Sequence, residues 1–368
     1  MATNTIEKDE ERDQIAQQLS RTSFHCSTLT RLSGGTANFV YRGTLSGTSD
    51  SIIVKHTKDH VASKPSLKID NKRCHFEEAV LRALEDLPPY NQKGITVKTP
   101  RLLYFDPQTN TQIFEDLPNS VDLKTFMLSA ISKGVSKSTA TALGRTLGAW
   151  LRSLHEWGNR VEQDETRTTL SQNESMKQIK FWANYAMLVD TISNFPEILE
   201  TNRGVLEEVR DFAKDELSRE DDSAEYGIIH GDFWTGNVLI PNVPLKDESA
   251  TTVFVIDWEM TQIGSRAMDL GQMIAELYET ELFGRSEAGV WIMDGFLEGY
   301  GSMSDEMAFR TAVHVGVHLV CWGSRVPGWG SKEQVEDVVK VGSDFIVHGW
   351  KKDREWFEGQ TLSFLFKK

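Results

Sequence analysis

The chain has 368 residues, of which 39% are apolar and 26% charged, and its formal net charge is −14. This length exceeds what one small core usually serves, so two lobes or domains are expected. The acidic balance argues against nucleic acid or an anionic membrane as the main partner, because both attract basic surfaces.

Several other classes of protein are disfavoured by the sequence. Residues 1–14 are polar and charged and lack the apolar segment of a signal peptide. No run of about 18 apolar residues occurs, so no membrane-spanning helix is expected. The three cysteines are far apart and form no CxxC pair, so neither a disulfide framework nor a zinc site is indicated. A cytoplasmic location is therefore expected.

The N-terminal part of the chain predicts a meander of strands with one helix. Residues 24–45 are typical of a strand, a glycine-containing turn and a strand, and 51–57 predict a third strand. Residues 58–72 are polar and are predicted as a loop. Residues 75–87 place apolar side chains at helical spacing and end before two prolines. Two further strands are predicted in 97–117, around an Asp-Pro-Gln-Thr-Asn turn.

These elements predict an α+β fold with two lobes. Residues 1–117 are expected to form the N-terminal lobe, a five-stranded antiparallel sheet with one helix. Residues 118–368 are expected to form a larger, mainly helical lobe. Its clearest helix is 138–158, where apolar residues recur on one helical face and are expected in the core.

The segment IIHGDFWTGNVLI, residues 228–240, places polar side chains on a loop between two short apolar strands. Asp232 and Asn237 lie on this loop, and Asp257 follows the next apolar strand. A carboxylate at the end of a buried strand is costly unless it meets a metal, a partner or water. A hairpin-sized connection places the strand ends near one another, and Asn and Asp oxygens suit Mg²⁺. The alternative is a turn without chemical function, since turns favour Asp, Gly and Asn.

Two N-terminal features fit the same chemistry, although each is weak alone. The turn between the first two predicted strands contains Ser33, Gly34, Gly35 and Thr36. Glycine lets a backbone approach phosphates closely, but a hairpin needs glycine in any case. Lys55 ends the third strand and becomes informative only with an acidic partner, for which Glu77 and Glu78 are candidates. Otherwise, the lysine is a solvated charge and the glutamates favour the helix N-terminus.

The order HxDxxxxN, a strand and then Asp resembles the catalytic arrangement of the protein-kinase-like fold. With Gly231 where protein kinases carry Arg, and DxE in place of DFG, the chain is more similar to the aminoglycoside phosphotransferase and choline kinase family. Its GDFWTGN segment is most similar to fungal-type members of that family. Further matching segments are 76–84, 113–118, 147–158 and 257–271.

The resemblance implies a role for each matching residue. Asp232 is the expected catalytic base or hydroxyl-orienting carboxylate, and Asn237 and Asp257 are expected to hold Mg²⁺. Lys55 is expected to contact the α- and β-phosphates of ATP and to pair with Glu77, the preferred of the two glutamates.

The remaining roles concern the nucleotide and the loop around the catalytic Asp. Residues 33–36 are expected to cover the phosphates, and backbone groups of Glu115 and Leu117 to bind adenine. His230 and Asp269 are expected to support the catalytic segment. The resemblance leaves open whether the Glu of the DxE sequence, Glu259, helps to bind metal or caps the next segment.

The implied activity is ATP-dependent transfer of the γ-phosphate to a hydroxyl of a small molecule. Amino alcohols, aminoglycoside-like compounds and sugars are the expected acceptors, cationic ones among them. One alternative is a catalytically silent pseudokinase that binds nucleotide as a scaffold. A protein kinase is disfavoured, because the GxGxxG loop and the Arg beside the catalytic Asp are missing, and a hydrolase lacks a GxSxG turn. The oligomeric state is left open.

Overall fold

The computed structural model describes residues 3–33, 35–218, 223–246, 250–326 and 330–367, with only the backbone described for residues 3–9. Gly34, one of the predicted phosphate-binding residues, lies outside the described residues. The chain divides into two compact units. The first comprises Met1–Arg82 and Pro100–Pro118, and the second comprises Ala83–Thr99 and Asn119–Lys368.

The described secondary structure mixes strands and helices, which confirms the α+β class. The strands are β1 (Cys26–Arg31), β2 (Phe39–Leu45), β3 (Ser51–His56), β4 (His60–Val61), β5 (Lys64–Lys68), β6 (Tyr90–Gln92), β7 (Ile95–Lys98), β8 (Leu102–Asp106), β9 (Thr111–Glu115), β10 (Ser120–Asp122), β11 (Tyr226–Ile229), β12 (Val238–Pro241), β13 (Thr251–Val255) and β14 (Gln262–Ser265). The helices are α1 (Thr3–Leu19), α2 (Arg73–Ala83), α3 (Leu123–Leu128), α4 (Lys137–Gly158), α5 (Asp164–Leu170), α6 (Glu174–Phe181), α7 (Leu188–Ile192), α8 (Pro196–Asp215), α9 (Ala267–Leu282), α10 (Glu287–Tyr300), α11 (Asp305–His318), α12 (Lys332–Trp350) and α13 (Arg354–Phe357).

The first unit is built on the predicted five-stranded antiparallel sheet, in the order β1-β2-β3-β9-β8. Val54 of the central strand β3 pairs with Tyr41 on one side and Ile113 on the other. All three side chains are buried and pack with Ile15 and Leu19 of α1. The sheet therefore buries one face against the N-terminal helix.

Two sequence predictions differ from this arrangement. Residues 58–72, predicted as a loop, contain the β4-β5 hairpin; its strands are short and largely polar, so they lack the alternation that identifies a strand. Residues 83–99, predicted within the lobe 1–117, belong to the second unit. There β7 pairs in parallel with β13, more than 150 residues later in the chain, and that pairing sets the boundary.

The second unit combines a sheet of order β10-β12-β13-β7-β6, the two-stranded sheet β11-β14 and most of the helices. The apolar stripe predicted on α4 is fully buried, and it consists of Leu143, Leu147, Trp150, Leu151 and Leu154. Gly144 and Gly148 lie one turn apart on this helix, and a Cβ at either would come within 2.0 Å of a carbonyl oxygen of α10. The two helices consequently pack backbone against backbone.

Among the helices of the described residues, none combines the length and apolar character that crossing a bilayer requires.

Candidate active site

Two loops run side by side because of how four strands pair. The segment that we call the catalytic loop, residues 230–237, leads from β11 to β12, and residues 256–261 lead from β13 to β14. Since β11 pairs with β14 and β12 pairs with β13, both loops cross between the same two sheets. Ile256 N donates to Asn237 O at 3.0 Å, which joins the two loops directly. Asp257 is the next residue after this contact.

His230 fixes the geometry of the catalytic loop from within. Its Nδ1 accepts the backbone N–H of Asp232 at 3.2 Å, so Nε2 carries the proton and donates to Ile256 O at 3.0 Å. Burial lowers the pKa of His230, although the carboxylates of Asp269 and Asp232 oppose that change. The neutral ring is therefore the form that links both loops.

The Asp232 carboxylate receives three hydrogen bonds from described side chains. Trp234 Nε1 and Asn237 Nδ2 donate to its Oδ2 at 3.2 and 3.0 Å, and Gln272 Nε2 donates to its Oδ1 at 2.7 Å. An ionised carboxylate offers about four lone-pair sites. One acceptor site is thus left for a further donor, such as the hydroxyl of a substrate.

Asn237 and Asp257 have the ligand chemistry of a magnesium site. Asn237 Nδ2 faces the backbone and side-chain oxygens of Asp232, which only accept, so its Oδ1 is the atom available to a metal. Asp257 is half-buried and adopts the left-handed conformation, with φ at +66°. A non-glycine residue held in this region is strained, and such strain clusters at functional sites. One amide oxygen and one carboxylate fit Mg²⁺, which keeps waters and phosphate oxygens as its other ligands.

Gly231 occupies a position that no other residue type fits. Its φ is +80°, and a Cβ there would lie 2.1 Å from Met260 O. The glycine that distinguishes this chain from protein kinases is therefore required by the contact between the two loops.

Asp269 holds the start of the catalytic loop. Its carboxylate accepts the backbone N–H of His230 at 2.8 Å and of Gly231 at 3.0 Å, and His155 Nε2 donates to it at 3.1 Å. Burial alone would raise the pKa of Asp269, but the hydrogen bond and charge of His155 and the donors at His230 outweigh burial and lower it. The ionised carboxylate is thus stable in the core, and the predicted supporting role of Asp269 is confirmed.

Helix α9 contacts the catalytic loop with side chains that sequence reasoning did not identify. Gln272 binds Asp232, and Glu276 accepts from the hydroxyl of Thr235 at 3.3 Å. With Asp269 they stand at positions i, i+3 and i+7, so they share one helical face. The available signal was this spacing of polar residues in the first half of α9, where the intervening residues are mostly apolar, but spacing alone could not identify the loop as their partner.

A second cluster lies next to Glu276. His318 Nε2 donates to Glu276 Oε1 at 3.2 Å, and Lys124 Nζ donates to its Oε2 at 3.0 Å. Glu279, one turn further along α9, is 1% exposed, and its Oε1 has no hydrogen-bond partner among the described residues. Burial and the charge of Glu276 raise the pKa of Glu279 well above its usual range, against the opposing charge of Lys124. The partly exposed ring of Trp322 stacks on His318, with 6.2 Å between the ring centroids.

In the first unit, Lys55 and Glu77 form the predicted ion pair. Lys55 Nζ lies 2.8 Å from both carboxylate oxygens of Glu77, and both residues are buried. Glu78 instead pairs with Arg82 on the helix surface at 2.8 Å. The two candidate glutamates are therefore distinguished by the helical face on which each lies.

The glycine turn, residues 33–38, is exposed at Ser33, Gly35 and Thr36 and buried at Asn38. Arg73, fully buried, donates to Asn38 Oδ1 at 2.8 Å and to the carbonyl of Ala37 at 3.3 Å. The turn is thus anchored at its C-terminal end, and its exposed part faces outward. Neither anchoring residue was identified from the sequence.

Glu115 ends β9, and Leu117 follows two residues later. Glu115 N donates to Arg101 O at 3.1 Å, and its carboxylate accepts from Arg101 N at 2.9 Å.

The structure brings Asp232, Asn237 and Asp257 together in the second unit, and Lys55 and Glu77 together in the first. Glu259 is buried in the turn after Asp257.

Comparison with known proteins gives consistent results. The family model described as the phosphotransferase enzyme family matches residues 28–309. Phosphotransferase FrzJ of a Cladobotryum species is 30% identical, with 96% of each chain covered. The 4-hydroxytryptamine kinase of Psilocybe cyanescens is 24% identical, with 92% of this chain and 91% of the relative covered. Wild-type aminoglycoside 2'-phosphotransferase-IIIa, solved as a GDP complex, superposes with a TM-score of 0.51 at 12% identity, covering 93% of this chain and 99% of that one. The predicted two-lobed kinase-like fold is thereby confirmed.

Proposed function

Because the chain belongs to the phosphotransferase enzyme family, we propose that it transfers the γ-phosphate of ATP to a hydroxyl group of a small molecule. The observation that carries this proposal is the direct contact of the two loops, through Ile256 N and Asn237 O. This contact places Asn237, which is on the same loop as Asp232, beside Ile256, the residue before Asp257. A kinase needs this arrangement, because a metal ligand set must stand next to the group that orients the acceptor.

Phosphoryl transfer needs positioning and charge neutralisation more than covalent chemistry. In the proposed reaction, Asp232 orients the acceptor hydroxyl and accepts its proton as the oxygen attacks the γ-phosphorus, while the bond from the γ-phosphorus to the β–γ bridging oxygen breaks and ADP leaves. Asn237 and Asp257 would hold Mg²⁺, which neutralises phosphate charge when bound. Lys55, fixed by Glu77, contacts the α- and β-phosphates.

The other nucleotide contacts are proposed from the resemblance and from position. Exposed residues of the glycine turn, Ser33 and Thr36 among them, cover the phosphates, and backbone groups of Glu115 and Leu117 bind the base. ATP is the proposed donor. Because the aminoglycoside phosphotransferase with the same fold was solved with GDP, GTP is the donor to compare with it.

The proposed acceptor carries an amine as well as a hydroxyl. Its ammonium would bind near Glu279, whose buried Oε1 has no hydrogen-bond partner among the described residues. Thr235 connects this cluster to the catalytic loop through Glu276, so an amine there belongs to the same site as Asp232. The name of one relative, 4-hydroxytryptamine kinase, describes an acceptor with both groups.

The first experiment is a phosphorylation screen of amino alcohols, hydroxylated aryl amines and sugars, with ATP and GTP as donors and with product identified by mass spectrometry. For the acceptor that is turned over, we expect Asp232→Ala to lower kcat by about 10³-fold, within the range for loss of a general base. Calorimetry should show unchanged Mg-ATP binding. Near-normal turnover by the variant would refute the role of Asp232, and ATP binding without any product would indicate a nucleotide-binding scaffold.

The acceptor class has its own test. Glu279→Gln is compared with Glu281→Gln, which changes an exposed position on the same helix. We expect only Glu279→Gln to raise KM for an amine acceptor, while KM for the analogue without the amine stays the same. An equal rise in KM for both acceptors would refute the proposed binding of an amine near Glu279, but it would not contradict the proposed kinase activity.

A further inference from the structure

Asp232 is connected to a buried lysine by one intervening side chain. Lys180 lies near the end of α6 and is 5% exposed. Its Nζ donates to Gln272 Oε1, and Gln272 Nε2 donates to Asp232 Oδ1 at 2.7 Å. The three groups form a chain from a cation through a neutral amide to the proposed catalytic carboxylate.

Only one orientation of the Gln272 amide is compatible with both neighbours. An ammonium can only donate and an ionised carboxylate can only accept. The amide oxygen must therefore face Lys180 and the amide nitrogen must face Asp232. A glutamate or an apolar residue at position 272 could not make both contacts.

The backbone of Lys180 is held in place on both sides. Asn173, the residue before α6, donates to the carbonyl of Thr261 at 2.8 Å. Thr261 is the last residue of the loop that contains Asp257. Asn184, four residues after Lys180, donates to its carbonyl at 2.8 Å and accepts from Trp322 Nε1 at 2.9 Å. The cation thus has a defined position under the catalytic loop.

Burying a lysine costs free energy that a structural role alone does not explain. Burial lowers the pKa of Lys180, while the charges of Asp232 and Asp269 oppose that change. An apolar side chain of similar size would fill the same space without this cost. The charges of Asp232 and Asp269 favour the ammonium form of Lys180, so these carboxylates are the groups on which a buried lysine here can act.

Resting on the proposed kinase function, we propose that Lys180 is a positioning residue that acts through Gln272 on Asp232. The ammonium polarises the amide, and the amide holds Oδ1 of Asp232 in one direction. The other oxygen is held by Trp234 and Asn237. The carboxylate is then fixed in rotation, with its remaining acceptor site directed at the substrate hydroxyl.

The test compares Lys180→Met, Gln272→Met and the double variant in kcat and in KM for ATP, with the acceptor that the wild-type protein turns over. Lys177→Met is the control, because Lys177 lies one turn earlier on α6 and contacts Glu174 and the carbonyl of Ser171. We expect Lys180→Met to lower kcat by about 10²-fold, as small misplacement of a catalytic group does. KM for ATP should stay within twofold, and Lys177→Met should equal wild type.

The double variant separates action through Gln272 from independent effects. If Lys180 acts only through the amide, the double variant has the same kcat as Gln272→Met. The double variant also removes both buried polar groups together, so it contains no unpaired buried charge that would destabilise the fold. Thermal unfolding of the double variant verifies that it is folded. Lys180→Arg should restore part of kcat, because a guanidinium can donate to the same oxygen.

Two results would overturn the proposal: a kcat for Lys180→Met equal to that of the Lys177→Met control, or a double variant whose loss is the product of the single losses. Both are read against an active wild-type protein, whereas failure of the kinase proposal would appear in the wild type itself.

Discussion

The catalytic loop and the glycine turn are two short polar connections between strands, and they are held in opposite ways. In the second unit, Asp269, Gln272 and Glu276 of one helix contact the catalytic loop at three successive points, at His230, Asp232 and Thr235. In the first unit, the glycine turn is held towards its C-terminal end, where Arg73 donates to Asn38 Oδ1 and Ser63 N donates to Thr36 O, and the side chains of Ser33 and Thr36 are exposed.

The roles proposed for the two segments account for this difference. A carboxylate that takes part in bond making must be fixed in direction, and three side chains donate to Asp232. A segment proposed to cover phosphates would use backbone N–H groups, which must face the ligand rather than the protein. Changes in the catalytic loop should therefore affect turnover and stability, and changes in the glycine turn should affect nucleotide affinity.

The largest expected effect is that of replacing Gly231 in the catalytic loop, and Gly35 in the glycine turn is the matched comparison. Gly231→Ala combines a positive φ with a Cβ 2.1 Å from Met260 O, whereas a Cβ at Gly35 would meet Val40 at an ordinary 3.6 Å. We expect Gly231→Ala to cost about 3 kcal/mol or more of unfolding free energy and to abolish turnover. Gly35→Ala should cost less than about 0.5 kcal/mol and raise KM for ATP. Denaturant unfolding and steady-state kinetics measure both, and equal stability of the two variants would contradict the comparison.

The buried ion pair is the part of the first unit that should behave like the catalytic loop. Glu77→Gln leaves the buried ammonium of Lys55 without its carboxylate, so we expect a loss of about 3–5 kcal/mol and a lower kcat/KM for ATP. Glu78→Gln removes only a surface pair with Arg82 and should change stability by less than about 1 kcal/mol. If the two variants were indistinguishable in unfolding and in kinetics, the role given to Lys55 would be wrong.

A smaller effect is expected where the glycine turn is anchored. Asn38→Ala removes one of the acceptors of buried Arg73 and the acceptor for the hydroxyl of Thr57, which should cost about 1–3 kcal/mol. KM for ATP should rise while kcat changes little, because the proposed role of the turn is to cover the phosphates of ATP. Ser33→Ala, an exposed change in the same turn, is the control for stability. A loss in kcat larger than the rise in KM would assign the turn a part in the transfer step.

The smallest expected effect is on the pH dependence of stability. Burial lowers the pKa of His314 well below its usual range, and the cationic side chains of Lys180 and Arg310 add to this. The unfolded chain therefore binds the proton first, so the stabilising contribution is complete above about pH 6.5 and is lost as pH falls below that value. His314→Gln should reduce the slope of unfolding free energy between pH 7 and 5 by at most about 1.4 kcal/mol per pH unit. His25→Gln, at an exposed position, should leave the slope unchanged, and an equal slope in both variants would contradict burial of a neutral His314.

Some features followed from local sequence alone. The strands of the first sheet, the apolar stripe of α4 and the residues Asp232, Asn237 and Asp257 were predicted, because residue spacing and chain order carry that information. The choice of Glu77 over Glu78 as the partner of Lys55 also agrees with the ion pair in the structure. The roles of these residues toward nucleotide and metal remain predictions.

Other features depend on contacts between distant parts of the chain. Residues 83–99 joined the second unit because β7 pairs with β13, and the β4-β5 hairpin has no apolar alternation to reveal it. Spacing on α9 shows that Gln272 and Glu276 share a helical face, but not which loop that face meets. Lysine and arginine are usually found at the surface, so the burial of Lys180 and Arg73 could not be predicted from residue type and depends on packing.

The sequence by itself determined which groups can do the chemistry, because a hydroxyl-orienting carboxylate and oxygen ligands are properties of residue types in a fixed order along two neighbouring strands. Tertiary structure decided how those groups are held. One of the hydrogen bonds to Asp232 comes from Gln272 on α9, 40 residues later in the chain, and Gln272 in turn accepts a hydrogen bond from the buried Lys180. The direction of a side chain depends on its partners in space, and those partners are set by the packing of whole helices rather than by neighbours in the chain.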